Sequence, residues 1–352
     1  MPHPAWTEFL NQADLPQGSA SLSAADTHIS SGTTLLVPLT EQTLISLEGT
    51  DAEKFLQGQL SCDLNLLSTE RSLLGANCTH KGMVISVSRL FKRAQGSLLM
   101  RLPSAAAEPA LANLQKFAVF SKISIASADE AWCGLGLIGE SASELLSQIG
   151  ITAPTTVNQQ ILSDNLILVK VPGETPRFEL WCPQPQAQQL WTLLAAHAQP
   201  EAYQTWLAAE ITAGLPQLGA ESLDSYIPQM LNLQAVDGIG FSKGCYTGQE
   251  VIARLQFRGK LKKLMYSATL SLASLDGAEI SPGASLYSSN GRSAGKLLCF
   301  VQQGSQLLLQ AIISKTAADS SDLRLFSADG PPVSLLPLPY TIDPELFERP
   351  ER

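Results

Sequence analysis

The chain has 352 residues, 45% hydrophobic and 16% charged, a globular composition long enough for two or three domains. With 23 basic and 32 acidic side chains its net charge is −9, which excludes a protein that coats nucleic acid through bulk charge. The richest apolar run, Leu166–Val171, is broken by Lys170, far short of the ~20 residues of a membrane span, and Met-Pro-His-Pro-Ala-Trp is no signal peptide, so a cytoplasmic location is expected.

Residues 1–33, rich in Ser, Ala and Pro, read as a loosely held arm. Leu44–Leu47 reads as a strand that stops at Gly49, and Asp51 opens a helix with Phe55, Leu56 and Leu60 on one face. Leu73–Cys78, Met83–Phe91 and Ser97–Leu102 read as strands separated by turns. A helix over Ala105–Leu114 and a strand-like stretch over Val119–Ile125 complete a β-α-β-β-(β)-α-β order, a split βαβ pattern with one addition. A similar order recurs: strands at Cys133–Ile138, Leu166–Val171 and Phe178–Cys182, with helices at Ser141–Ile149 and Gln186–Ala198. After Gly259 helical periodicity vanishes. Short alternating stretches at 264–272, 284–287, 294–302, 307–313 and 323–326 predict a small antiparallel barrel or sandwich, followed by a charged tail over 341–352. The fold class is therefore α+β; together with the resemblance given below, five segments are expected: an arm (1–33), a first α+β unit (34–127), a second (128–200), a return segment packing on the first unit (201–259) and a β-barrel (260–345).

The six cysteines (Cys62, Cys78, Cys133, Cys182, Cys245, Cys299) show no C-x-x-C spacing, and with only four histidines no metal site is expected. Chemistry concentrates in Lys243-Gly244-Cys245-Tyr246-Thr247-Gly248-Gln249-Glu250. Thr247 and Glu250 have capping-box spacing ahead of the apolar face Val251, Ile252, Leu255. Cys245, just before that helix, would feel its positive end and the charge of Lys243, which makes it the candidate reactive thiol. A buried cysteine in a turn is the competing reading. Lys243, Arg254, Arg258, Lys260, Lys262 and Lys263 face Glu250 alone between 243 and 263, a basic stripe suited to an anion, or else a solvated linker. Trp206 lies on a helix with Leu207, Ile211 and Leu215, as core packing or as a stacking platform. Gln229, Asn232 and Gln234 crowd the approach to the loop and suit either a heterocycle or a turn.

The stretch K-G-C-Y-T-G-Q-E, continued by Val251-Ile252-Ala253-Arg254 and Phe257-Arg258-Gly259, resembles the signature of the YgfZ family of folate-binding, tRNA-modifying proteins. Ile227-Pro228-Gln229, Asn232-Leu233-Gln234, Phe241, Phe55–Gln59, Phe117–Lys122 and Pro337–Tyr340 also match, so the resemblance runs from about residue 44 to 340. It implies a three-domain fold like that of the glycine-cleavage T-protein, with interleaved ferredoxin-like units and a C-terminal antiparallel barrel. It further implies a tetrahydrofolate-type cofactor, service to iron–sulfur client enzymes including one that thiomethylates tRNA, and a link to replication-initiation control. Direct tRNA binding is not expected, nor is a membrane partner. The family's essential cysteine falls on Cys245, and one of its two folate-contacting tryptophans on Trp206; the other falls on Gln42. Cofactor contacts are thus expected from Trp206, Gln42, Gln229, Asn232, Gln234, Tyr246, Arg254 and Arg258, with Cys245 facing the same channel and Lys243 beside it. Two departures stand out. Thr212 replaces the glutamate that reads the pterin, with Glu210 two residues away and pointing elsewhere. Ser86-Val87 replaces an Asp pair of the T-proteins, so aminomethyl transfer is not expected. The alternative function is a folate-dependent one-carbon transferase or demethylase.

Overall fold

A computed structural model describes residues 3–13, 15, 33–163 and 165–347. The predicted arm is in part structured. Pro4–Gln12 forms helix α1, whose Trp6 and Leu10 are buried and whose Trp6 ring meets Trp191 edge-on at 6.1 Å. Residues 16–32 of that arm, and 348–352 of the charged tail, lie outside the described residues.

The chain then forms β1 (Leu35–Pro38), β2 (Gln42–Glu48), α2 (Ala52–Gln57), β3 (Leu73–Cys78), β4 (Val84–Ala94), β5 (Ser97–Pro103), α3 (Ala107–Phe117) and β6 (Ser124–Ser127). Strands β2 to β6 make one antiparallel sheet in the order β3-β4-β5-β2-β6. Strand β6 is shorter than predicted. The alternation at Val119–Ile125 mimics a strand, but Ser121 N bonds Ala118 O in a turn and leaves Val119 and Phe120 exposed.

Next come β7 (Cys133–Ile138), α4 (Ala142–Gln148), β8 (Gln160–Ser163), β9 (Leu166–Val171), β10 (Arg177–Cys182), α5 (Gln184–Ala195) and β11 (Gln199–Pro200). The second sheet has the order β11-β1-β7-β10-β9-β8. Strand β1, assigned from sequence to the first unit, belongs here: it precedes the first sheet in the chain but pairs with β7 and β11 of the second. The two units are therefore interleaved.

The sheets face each other. Leu44, Phe91 and Leu99 of the first pack on Ile167, Val169 and Trp181 of the second. Helices α2 and α3 cover the far side of the first sheet, and α1, α4 and α5 that of the second. Covered on both faces, β3, β7 and β10 are buried along their whole length; β7 reads as a continuous apolar run, whereas β10 carries the buried Arg177 and Glu179.

Helix α6 (Tyr203–Thr212) lies between β1 and the barrel and reaches the first sheet through Tyr203 and Trp206, while residues 213–252 pack on β3 and β4. After α7 (Gln249–Arg258), six strands close the predicted barrel: β12 (Lys263–Ser271), β13 (Ser285–Ser288), β14 (Ser293–Gln303), β15 (Gln306–Ser314), β16 (Leu323–Leu325) and β17 (Pro332–Leu335). A short helix α8 (Lys315–Ser320), unread in the sequence, is capped by Ser314 and buries Ala317 and Ala318 in the barrel core. Among the described residues no helix is long and apolar enough to cross a membrane.

Candidate functional site

The motif loop is built on the first sheet. Gly240 N bonds Ser61 O at 2.8 Å, and Thr247 N bonds Gly58 O at 3.1 Å. Between them Lys243 is buried, and its ammonium donates to the carbonyls of Gln57 (2.7 Å), Leu60 (2.7 Å) and Cys62 (2.6 Å). The Phe55–Gln59 and Lys243–Glu250 motifs, far apart in sequence, thus form one unit. The sequence expectation that Lys243 acts on Cys245, and counts in the basic stripe, is corrected: its three donors are spent inside the protein. Burial brings its pKa down to about 8. The Tyr246 ring lies 4.9 Å from the ammonium, and burial pushes its phenol up.

Cys245 is exposed, whereas Cys62, Cys78, Cys133 and Cys182 are buried and Cys299 half-buried. The turn reading of a buried Cys245 is therefore excluded. The capping box does not form. Gly248, at φ +85°, occupies the cap position, and Thr247 Oγ1 donates to Gln59 instead (3.3 Å). A Cβ at 248 would sit 2.7 Å from Thr79 O and 2.8 Å from Gly82 Cα, so only glycine lets the turn at 79–82 seat the helix. Helix α7 then presents Arg254 and Arg258 to solvent, with Lys260, Lys262 and Lys263 beyond.

Gln229 and Asn232 pin the return segment. Gln229 Nε2 donates to Ile252 O (2.7 Å), and Asn232 Nδ2 donates to Met265 O (2.8 Å) and to Tyr340 OH (3.1 Å). The outer oxygens of both, and both amide atoms of Gln234, are buried without a hydrogen bond.

Between the sheets runs a buried charge network. Arg101 grips Glu179 at 2.5 Å and donates to Gln42 Oε1 (3.2 Å), whose amide donates to Tyr203 OH (2.7 Å). Arg177 pairs with Glu210 at 3.0 Å and lies 4.8 Å above the Trp206 ring. Trp206 is 0% exposed, and a Cβ at Gly136 would touch its ring at 2.5 Å. Trp206 and Gln42 are thus corrected from cofactor contacts to core residues: both faces of the ring site are taken. Glu210 points into the network, as its place on the helix implied, and Thr212 is exposed, bonding back to Ala208 O.

The cavity at the junction of both sheets, the return segment and the C-terminus holds about 690 Å³, within the ~300–1,000 Å³ of small-molecule sites. Arg71, Arg89, Asn158 and Tyr340 bring polar groups to it, and Leu74, Val157, Leu215 and Val236 an apolar lining. Neither Cys245 nor any of the expected cofactor contacts lines it. Sequence reasoning missed Arg71, Arg89 and Asn158; Asn158, at φ +66° in a turn, carried the one local signal. Among the described residues no cluster of three His, Cys, Asp or Glu could hold a metal ion.

No protein-family model matches the chain. The tRNA-modifying protein YgfZ of Colwellia psychrerythraea is 37% identical over 314 residues, 88% of this chain and 94% of its own length. That of Escherichia coli O157:H7 is 34% identical over 313 residues, again 88% and 94%. The chain belongs to the YgfZ family. Its architecture matches the glycine cleavage system aminomethyltransferase T of Bartonella henselae with a TM-score of 0.70 at 16% identity, covering 88% of this chain and 86% of that one. At that identity the likeness shows the fold: this YgfZ-family chain has the aminomethyltransferase T architecture. The YgfZ signature seats its thiol on the outer surface and its lysine in the interior.

Proposed function

We propose that this chain is a cytoplasmic, folate-binding accessory protein of tRNA modification that maintains iron–sulfur enzymes. The observation that carries this reading is the cavity at the junction, in a fold shared with aminomethyltransferase T, among relatives named tRNA-modifying. A folate combines a flat heterocycle, a benzoyl linker and carboxylates, and the cavity offers apolar walls with arginine and amide donors of matching kinds. Arg71, Arg89 and Asn158 would hold it, and Leu74, Val157, Leu215 and Val236 would exclude water; the Tyr340 hydroxyl donates to Gly214 O (2.8 Å) and so serves as wall. A bound reduced folate supplies a carrier for one-carbon units. The chain's own contribution is to orient it and to present a thiol: Ala235–Asp237 line the cavity, and the same return segment continues to Cys245 on the outside. Cys245 therefore meets a client protein, not the cavity. The transferase alternative lacks support, because Ser86 and Val87 put no carboxylate on β4, and the acids at the cavity, Glu70 and Asp237, are exposed at its rim.

Calorimetric titration with tetrahydrofolate tests the binding half. Saturable binding is expected, lost when Ala235→Trp fills the cavity. Complementation tests the thiol half: Cys245→Ala should fail to restore tRNA thiomethylation in a deletion strain. No binding, or full restoration, overturns the corresponding half.

A further inference from the structure

A second cavity opens where the return segment meets the barrel. It holds about 680 Å³, nearly as much as the junction cavity, and the two share no lining residue. Strand register builds one side of it. Lys263 of β12 pairs with Ser314 of β15, and Lys296 of β14 pairs with Ile312 of β15. Side chains alternate along a strand, so residues 312 and 314 share a face, and Lys263 and Lys296 emerge on that same face. Ser285 of β13, paired with Lys296, joins them. On this face Met265, Leu298 and Ile312 form one buried cluster with Leu231 and Leu233 of the return segment, so a packed apolar surface ends in two lysines. Two strand spacings and a two-residue offset put the lysine Cα atoms roughly 12 Å apart, close enough for both side chains to close on one anion. Lys92 and Lys315 have acid partners, Glu53 and Asp319. Among the described residues Lys263 and Lys296 form no ion pair, and neither does Glu221, the acid on the lining. Ser222, Ser281, Ser285 and Ser293 line the cavity too, and their hydroxyls make no hydrogen bond to another described residue. Two cations, four unspent hydroxyls and one acceptor carboxylate match a ligand that joins a dianion to hydroxyl groups.

We infer that this cavity binds a small phosphate ester of a polyol, such as a sugar phosphate. Lys263 and Lys296 neutralise the phosphate as point charges, the serine hydroxyls bond its oxygens, and Glu221 accepts a hydrogen bond from a ligand hydroxyl. The inference is independent of the folate reading, because the two cavities have separate walls.

The experiment is calorimetry of the full chain with three probes: ribose 5-phosphate, ribose and inorganic phosphate. Each is titrated into the wild type, Lys263→Met, Lys296→Met and Lys260→Met, the last an exposed cation that does not line the cavity, and urea unfolding confirms that the variants fold. The wild type should bind ribose 5-phosphate saturably, and ribose at least roughly tenfold more weakly. Lys263→Met and Lys296→Met should each lose roughly tenfold in ribose 5-phosphate affinity, as for one charge-assisted contact, while Lys260→Met stays within about twofold. An equal loss in all three variants assigns the binding to general surface charge and overturns the inference. Inorganic phosphate that binds as tightly as ribose 5-phosphate, with the same dependence on Lys263 and Lys296, upholds the anion seat and overturns the polyol half. No saturable binding of ribose 5-phosphate up to roughly 10 mM overturns the whole.

Discussion

Replacing Lys243 by Met removes an ammonium, 8% exposed, from three carbonyls at 2.6–2.7 Å. Each buried acceptor left unpaired costs roughly 1–3 kcal/mol, together about 3–9. Against this stands the desolvation that the wild type carries. The lysine titrates at about 8 instead of its ordinary 10.5, which corresponds to about 3 kcal/mol at ~1.4 kcal/mol per pH unit. At a middle value of about 2 kcal/mol per acceptor the lost hydrogen bonds total about 6 and outweigh the desolvation, so Lys243→Met should be less stable by about 3 kcal/mol at pH 7. The sign of the pH dependence follows from the same shift. Between pH 8 and 10.5 the unfolded chain holds a proton that the folded chain has released, so wild-type stability rises with pH. The neutral amine keeps two N–H donors for the carbonyls and sheds the desolvation cost. Methionine has no such rise, so the gap between the two proteins should widen by about 2 kcal/mol between pH 7 and 9.5. Urea unfolding at both values, read as a difference so that other groups cancel, measures this. A cost below about 0.5 kcal/mol, or a gap that narrows with pH, refutes the clamp as drawn.

Other expectations are equally direct. A maleimide should label one thiol rapidly in the native chain; Cys245→Ala should abolish that phase and shift stability by less than about 0.5 kcal/mol, and a surviving fast phase would contradict the exposure assigned here. Gly136→Ala pushes a Cβ into the Trp206 ring and should cost about 1–3 kcal/mol in urea unfolding; an unchanged midpoint would mean the ring has room to move. Arg177→Leu leaves Glu210 with Gln217 as its partner and should cost about 3–5 kcal/mol, and adding Glu210→Leu should recover part of it; strict additivity in that cycle would deny the pairing. Gly248→Ala, strained at φ +85°, should loosen α7, seen as faster amide exchange in 249–252.

Much of the architecture was legible because it depends on local patterns. Runs such as Leu73–Cys78, Cys133–Ile138 and Leu166–Val171 are strands from end to end, since sequences buried on both faces announce themselves. Turn residues at 282–283 and 290–291 delimited the barrel, and the Lys243–Glu250 motif marked its loop. Short segments failed. Leu35–Pro38 is too brief to reveal a period, and its place in the second sheet is decided by partners about a hundred residues away. Helix α1 was hidden because only two of its side chains, Trp6 and Leu10, are buried, and the surface that buries them lies around Trp191.

The site divides along the same line. Sequence by itself determined that residues 243–250 form a glycine-flanked loop ahead of a helix, because glycine and helix periodicity act over a few residues. Where each side chain goes was decided only by packing. Lys243 turns inward because the carbonyl groups of Gln57, Leu60 and Cys62 converge on it, and Cys245, two residues on, is left exposed. Trp206 is core because Gly136 and Arg177 close on its faces. The cavity wall of Arg71, Arg89 and Asn158 exists only where two interleaved sheets meet, a contact between distant segments that no local spacing encodes.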